Sequence, residues 1–138
     1  MLGDLWSFQG RYRTLHLTWI AFFLTFVVWF NLAPLATTVK ADLGLTVGQI
    51  RTVAICNVAL TIPARVLIGM LLDKFGPRIT YSSILVFSAI PCLLFASAQD
   101  FNQLVVARLL LSIVGAGFVI GIRMVAEWFP PKEIGLAE

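Results

Sequence analysis

The chain is 138 residues long, 59% hydrophobic and only 12% charged, against about 25% charged in ordinary soluble domains. A mean hydropathy of +0.93 excludes a disordered chain and argues against a water-soluble globular domain. The net charge of +3 is spread singly between apolar runs, which speaks against a nucleic-acid partner and leaves the basic residues as topology signals and site chemistry.

A membrane-spanning helix takes about 20 apolar residues, so a chain of this length has room for roughly four or five. Residues 1–14 come first and mix polar with aromatic side chains: Trp6, Phe8 and Tyr12 stand beside Arg11 and Arg13. They lack the charged start, short apolar core and small-residue cleavage site of a signal peptide. They read as a cytoplasmic segment, either lying at the interface or unstructured with a few anchoring rings. The first span covers about 15–39 and carries no charge. Asn31, Pro34 and Thr38 share one of its faces. Lys40, Asp42, Gly44 and Gly48 mark the loop that follows.

The second span covers about 49–72 and holds Pro63 and Arg65. Asp73, Lys74, Gly76, Pro77 and Arg78 then form a charged loop before the third span, about 79–98, which is uncharged. Gln99 and Asp100 make a tight turn into the fourth span, about 101–129, which Pro130 and Pro131 end. Arg11, Arg13, Lys74, Arg78 and Lys132 fall on one side of this arrangement, and only Lys40 and Arg51 on the other. By the positive-inside rule the amino terminus is cytoplasmic. Cys56 and Cys92 lie inside apolar runs and read as reduced, buried small hydrophobes. His16 has no second ligand nearby, and no metal or cofactor site is expected. No nucleophile–base set or phosphate loop points to an enzyme.

Arg65 is the most informative residue. It stands about eight residues from the end of its span, roughly 12 Å of helix. Snorkelling covers only part of that distance. An arginine so deep costs several kcal/mol unless compensated. No Asp or Glu lies in the middle of any span to pair with it or to carry a proton. The charge therefore faces a water-filled cavity, an acid on a helix outside this sequence, or an anionic ligand. Asn57, Thr61, Arg65 and Gly69 follow at four-residue steps and form a winding polar stripe that suits a lined cavity. Pro63 opens the backbone ladder beside it. A guanidinium offers two parallel donors and holds its proton, which suits a small planar oxyanion. Arg108 lies nearer the outer end of the fourth span and is expected to snorkel. Gly115, Gly117 and Gly121 give that span a small-residue face for close helix packing. Arg123 and Glu127 stand at i and i+4 and read as a local ion pair.

Gly69, Asp73, Lys74, Gly76 and Arg78 fit the pattern G-x-x-x-D-[RK]-x-G-x-[RK]. This resembles the second–third loop signature of the major facilitator superfamily, whose role there is to hold one gating state. The arginine and glycines of the fourth span are similar to another motif of that family. Trp29 to Leu35, Ile62 to Arg65, Gly115 to Phe118 and Glu127 to Lys132 resemble its nitrate/nitrite porter branch. The resemblance implies an all-α, multi-pass transmembrane bundle made of the first four helices of a major facilitator-type half. The family has about twelve helices in two halves, so residues 130–138 would start a cytoplasmic linker to a fifth helix. It implies a nitrate or nitrite transporter of the cell membrane that works by alternating access with the remaining helices. Arg65 would grip the anion, Asn57, Thr61 and Asn31 would line the site, and Phe118 would lie over the planar guest. Two other readings stand beside it. One is a facilitator of another small anion such as formate, oxalate or a monocarboxylate. The other is a non-transporting four-helix membrane subunit that binds a partner through the Gly117/Gly121 face.

Overall fold

The structure is a computed structural model that describes residues 8–137; Trp6 of the amino-terminal segment lies outside the described residues. Helix α1 runs Gly10–Trp29 and α2 Leu32–Asp42. Helix α3 runs Val47–Ala59 and α4 Thr61–Ala96. Helix α5 runs Phe101–Ser112, a 3-10 turn follows at Ile113–Ala116, and α6 runs Gly117–Trp128. A short α7 closes the series at Pro131–Ala137, where the sequence suggests a linker. No strand occurs among the described residues.

The starts and breaks follow from particular residues. Thr46 caps α3 with a reciprocal pair: its hydroxyl accepts from the Gln49 amide at 3.2 Å, and the Gln49 side chain accepts from the Thr46 amide at 2.8 Å. The Asp100 carboxylate caps α5 by accepting from the Gln103 amide at 2.8 Å. Pro34 has no N–H for the Phe30 carbonyl, which accepts from Ala33 at 3.1 Å instead, and the first span breaks there. Pro63 likewise leaves the Ala59 carbonyl without its helical donor, and the break between α3 and α4 falls at Leu60.

Helix α4 holds one residue of non-helical backbone, Gly76, at φ 77° and ψ 167°. The chain doubles back there. Asn57 and Phe95 lie on either side of it in sequence, and both reach Arg108, the first by a 3.3 Å hydrogen bond and the second with its ring centre 4.4 Å from the guanidinium carbon. On one straight helix those two residues would stand about 57 Å apart. The charged loop read between the second and third spans is thus a hinge of one residue between helical arms.

Among the described residues three stretches are long and apolar enough to cross a membrane: Gly10–Asp42, Val47–Ala96 and Phe101–Trp128. The middle one folds back at Gly76 into two helical arms, so four helical stretches pack together among the described residues. Arg11 pairs with Glu133 at 2.8 Å, and Tyr12 packs with Val125 and Phe129, so both ends of the described chain meet at one end of the bundle. At the other end Leu45 packs with Leu104, Ala98 and Phe101. Between them Ile68, Leu72, Tyr81, Ile84, Leu111, Val114 and Ile120 form the central core. Ile62, Val86 and Leu93 are more than 70% exposed. Such an apolar exterior belongs in lipid or against further helices. The chain is a multi-pass membrane protein.

Candidate functional site

Arg65 sits five residues into α4, on an exposed stretch between Ile62, Val66 and Leu67. Its guanidinium carbon lies 5.8 Å from the centre of the Phe118 ring, which projects from the start of α6 and is itself 41% exposed. Phe118 in turn meets Phe22 of α1 at 5.8 Å. A cation over an aromatic face is attracted by the ring quadrupole. Among the described residues no carboxylate pairs with Arg65. Arg65 and Phe118 therefore come together on one open face of the bundle, with the donor fork of the arginine available.

The polar stripe divides. Asn57 and Thr61 are buried, and their side chains bond to the fourth span. The Asn57 carbonyl oxygen of the side chain accepts from Arg108 Nη1 at 3.3 Å, and the Thr61 hydroxyl donates to the Ser112 carbonyl at 2.9 Å. The reason is the pitch. Each four-residue step advances about 40° around the helix, so two steps carry the stripe roughly 80° from the packed face to the open one. Gly69 is half-buried further along α4, with no atom within 4 Å of a Cβ placed there. Asn31 stands at the break between α1 and α2, half-buried, and its side-chain oxygen has no hydrogen-bond partner among the described residues.

Arg108 corrects the expectation that it snorkels. It is completely buried, bonded to Asn57 and stacked on Phe95. The turn at Gln99–Asp100 packs back through Ala98 and Phe101 on Leu104, which closes the outer exit. Its Nε and Nη2 find no partner among the described residues. The glycines of the fourth span face α1. A Cβ on Gly115 would lie 2.7 Å from the Trp29 ring, one on Gly117 would lie 3.1 Å from Thr25 Cγ2, and one on Gly121 would make ordinary contact with Phe22 at 3.6 Å. Asp73, Lys74 and Arg78 of the hinge are exposed and form no ion pair among the described residues. Arg123 and Glu127 form their local pair at 3.0 Å. Cys56 and Cys92 are free thiols.

Residues 18–137 match the Major Facilitator Superfamily. The chain belongs to the major facilitator superfamily. A nitrate/nitrite transporter, NrtP, of Picosynechococcus sp. is 68% identical over all 138 residues, which cover 26% of its own length. Its namesake in Nostoc punctiforme is 67% identical over the whole chain, covering 28% of that protein. A probable nitrate/nitrite antiporter, NarK1, of Thermus thermophilus is 33% identical over 92% of the chain and 29% of its own length. The chain thus spans about a quarter of the relatives it matches. No solved structure matches it. Within the matched residues, Arg65 stands on α4 before the Gly76 turn and Phe118 stands on α6.

Proposed function

We propose that this chain supplies one part of a secondary transporter for nitrate, and for nitrite as a second substrate, in the cell membrane with its amino terminus cytoplasmic. The observation that carries the reading is the Arg65 guanidinium over the Phe118 ring, on an open face, with no acid paired to it among the described residues. The names of the relatives at 67–68% identity support the substrate.

Nitrate stays ionised at every physiological pH, so its site must neutralise a fixed charge. The planar fork of Arg65 donates two parallel hydrogen bonds to two oxygens of the anion. Phe118 covers the flat face of the guest, and helices beyond this chain complete the enclosure. Binding offsets the cost of holding an arginine within the bilayer, which links occupancy to the rocking of two halves about the site. Gly69, Asp73, Lys74, Gly76 and Arg78 act at the other end of the same helix pair, where the exposed charges hold one gating state.

The test is a chimera in which residues 1–138 replace the aligned quarter of the Picosynechococcus relative. Arg65→Lys keeps the charge and loses the fork. It should abolish nitrate uptake at normal membrane abundance. Uptake retained with unchanged affinity would end the assignment of Arg65.

A further inference from the structure

Three of the four spans are interrupted, and hydrogen bonds tie the interruptions together. The first breaks after Trp29, the second at Leu60, and the fourth at the 3-10 turn Ile113–Ala116. The Trp29 indole N–H donates to the backbone carbonyl of Asn57 at 2.7 Å. The Leu60 amide donates to the Ser112 hydroxyl at 3.1 Å, and the Thr61 hydroxyl donates to the Ser112 carbonyl at 2.9 Å. Arg108 holds the side chain of Asn57 from the buried side. Two of these bonds end on backbone atoms of the second span, so they fix the path of the chain through the break and not merely a side-chain rotamer.

Arg65 follows Leu60 by five residues, about 7.5 Å of helix. A helix interrupted by proline changes direction at the interruption unless something holds it. Whatever sets the direction of α4 at Leu60 therefore sets where the Arg65 guanidinium stands above Phe118. Phe118 stands second in the helix that follows the 3-10 turn, so the same bonds tie both members of the pair.

We infer that Arg108 is a positioning residue: through Asn57, with Trp29 and Ser112, it pins the break in the second span and so places Arg65 for anion binding. The burial of a whole guanidinium with one hydrogen bond and one aromatic partner is costly and of little use to stability alone. Its use is geometric. The inference rests on the reading of Arg65 as the anion-binding residue.

The experiment compares Arg108→Met, Arg108→Lys and Trp29→Phe in the chimera described above, with Arg65→Lys as control. Arg108→Met fills the volume without a donor and removes a buried charge, so the fold should keep its stability. Its KM for nitrate should rise about tenfold or more with kcat less affected, because a small misplacement of a binding group weakens the grip on the anion. Arg108→Lys keeps a charged donor and should recover most of the loss. Trp29→Phe deletes the indole N–H together with part of the ring that packs on Gly115, and should raise KM in the same direction, which keeps the test alive if Arg108→Met does not fold. Deuterium uptake in the segment 57–65 should increase in the Met and Phe variants, with or without nitrate. A KM within twofold of the parent in each of the two that folds, while Arg65→Lys is impaired, would overturn the inference alone. An unimpaired Arg65→Lys would overturn the functional reading, and with it the placement of Arg65 for binding.

Discussion

A methyl group at position 115 would land 2.7 Å from one carbon of the Trp29 ring and 2.8 Å from another. The ring cannot swing aside freely, since its N–H is bound to the Asn57 carbonyl. Gly115→Ala should therefore destabilise the protein by about 1–3 kcal/mol, as overpacking does. At Gly121 the nearest atom to such a methyl is 3.6 Å away, ordinary contact, so Gly121→Ala should be neutral or stabilise by about 0.5–1 kcal/mol through the helix backbone. Thermal unfolding of the two detergent-solubilised variants checks the contrast; equal melting temperatures would refute it. The presence of small residues on the fourth span is legible in the sequence, but not which of the three bears the tightest contact, because that depends on the ring it meets. Arg65 and Arg108 carry a similar lesson. Arg108 lies seven residues beyond Phe101, about 10 Å of helix, and Arg65 about 12 Å from its own boundary. A difference of about 2 Å in depth is too small for the separate readings that the sequence gives them. Only the packing of Leu104, Phe95 and Asn57 tells the buried arginine from the open one.

Two breaks fall where proline removes a donor, at Phe30 ahead of Pro34 and at Leu60 ahead of Pro63, whereas Pro91 lies within α4 without one; all three prolines are visible in the sequence. The 3-10 turn at Ile113–Ala116 has no such signal. It forms where Gly115 lets the chain approach Trp29 and where Ser112 turns its polar atoms to the second span. The hinge at Gly76 is a different case. Its φ of 77° with ψ of 167° lies in a region open essentially to glycine alone, while a Cβ there would meet nothing within 4 Å. Gly76→Ala should thus cost about 1–3 kcal/mol from backbone strain and nothing from crowding. Gly69→Ala, seven residues earlier on ordinary helix with equal open space, should stabilise by about 0.5–1 kcal/mol. Melting temperature and membrane abundance read both. A Gly76→Ala protein as stable as its parent would mean that the turn between the arms does not need this backbone.

At the scale of the whole molecule, parity decides the topology. Arg11 and Glu133 pair across the two ends of the described chain, which predicts an even number of crossings, although among the described residues only three stretches qualify by length and apolarity. Arg13 and Arg78 line one groove with Trp128, which sets the Gly76 hinge at the same end. The far end holds Leu45, Ala98 and Phe101. Basic residues accumulate at the first of these ends, so that end should face the cytoplasm. Single cysteines, introduced after replacing Cys56 and Cys92, read this directly with a membrane-impermeant maleimide. Gln9→Cys, Lys74→Cys and Lys132→Cys should react only in inside-out vesicles, and Ala41→Cys and Gln99→Cys only in right-side-out cells. All five positions are exposed, so silence at any of them reports the membrane side and not burial. Reaction of Gln9→Cys and Lys132→Cys from opposite sides would break the parity and the fold reading with it. All five exchanged would keep the bundle and invert the orientation, because crossing number follows from packing while direction follows only from the distribution of lysine and arginine.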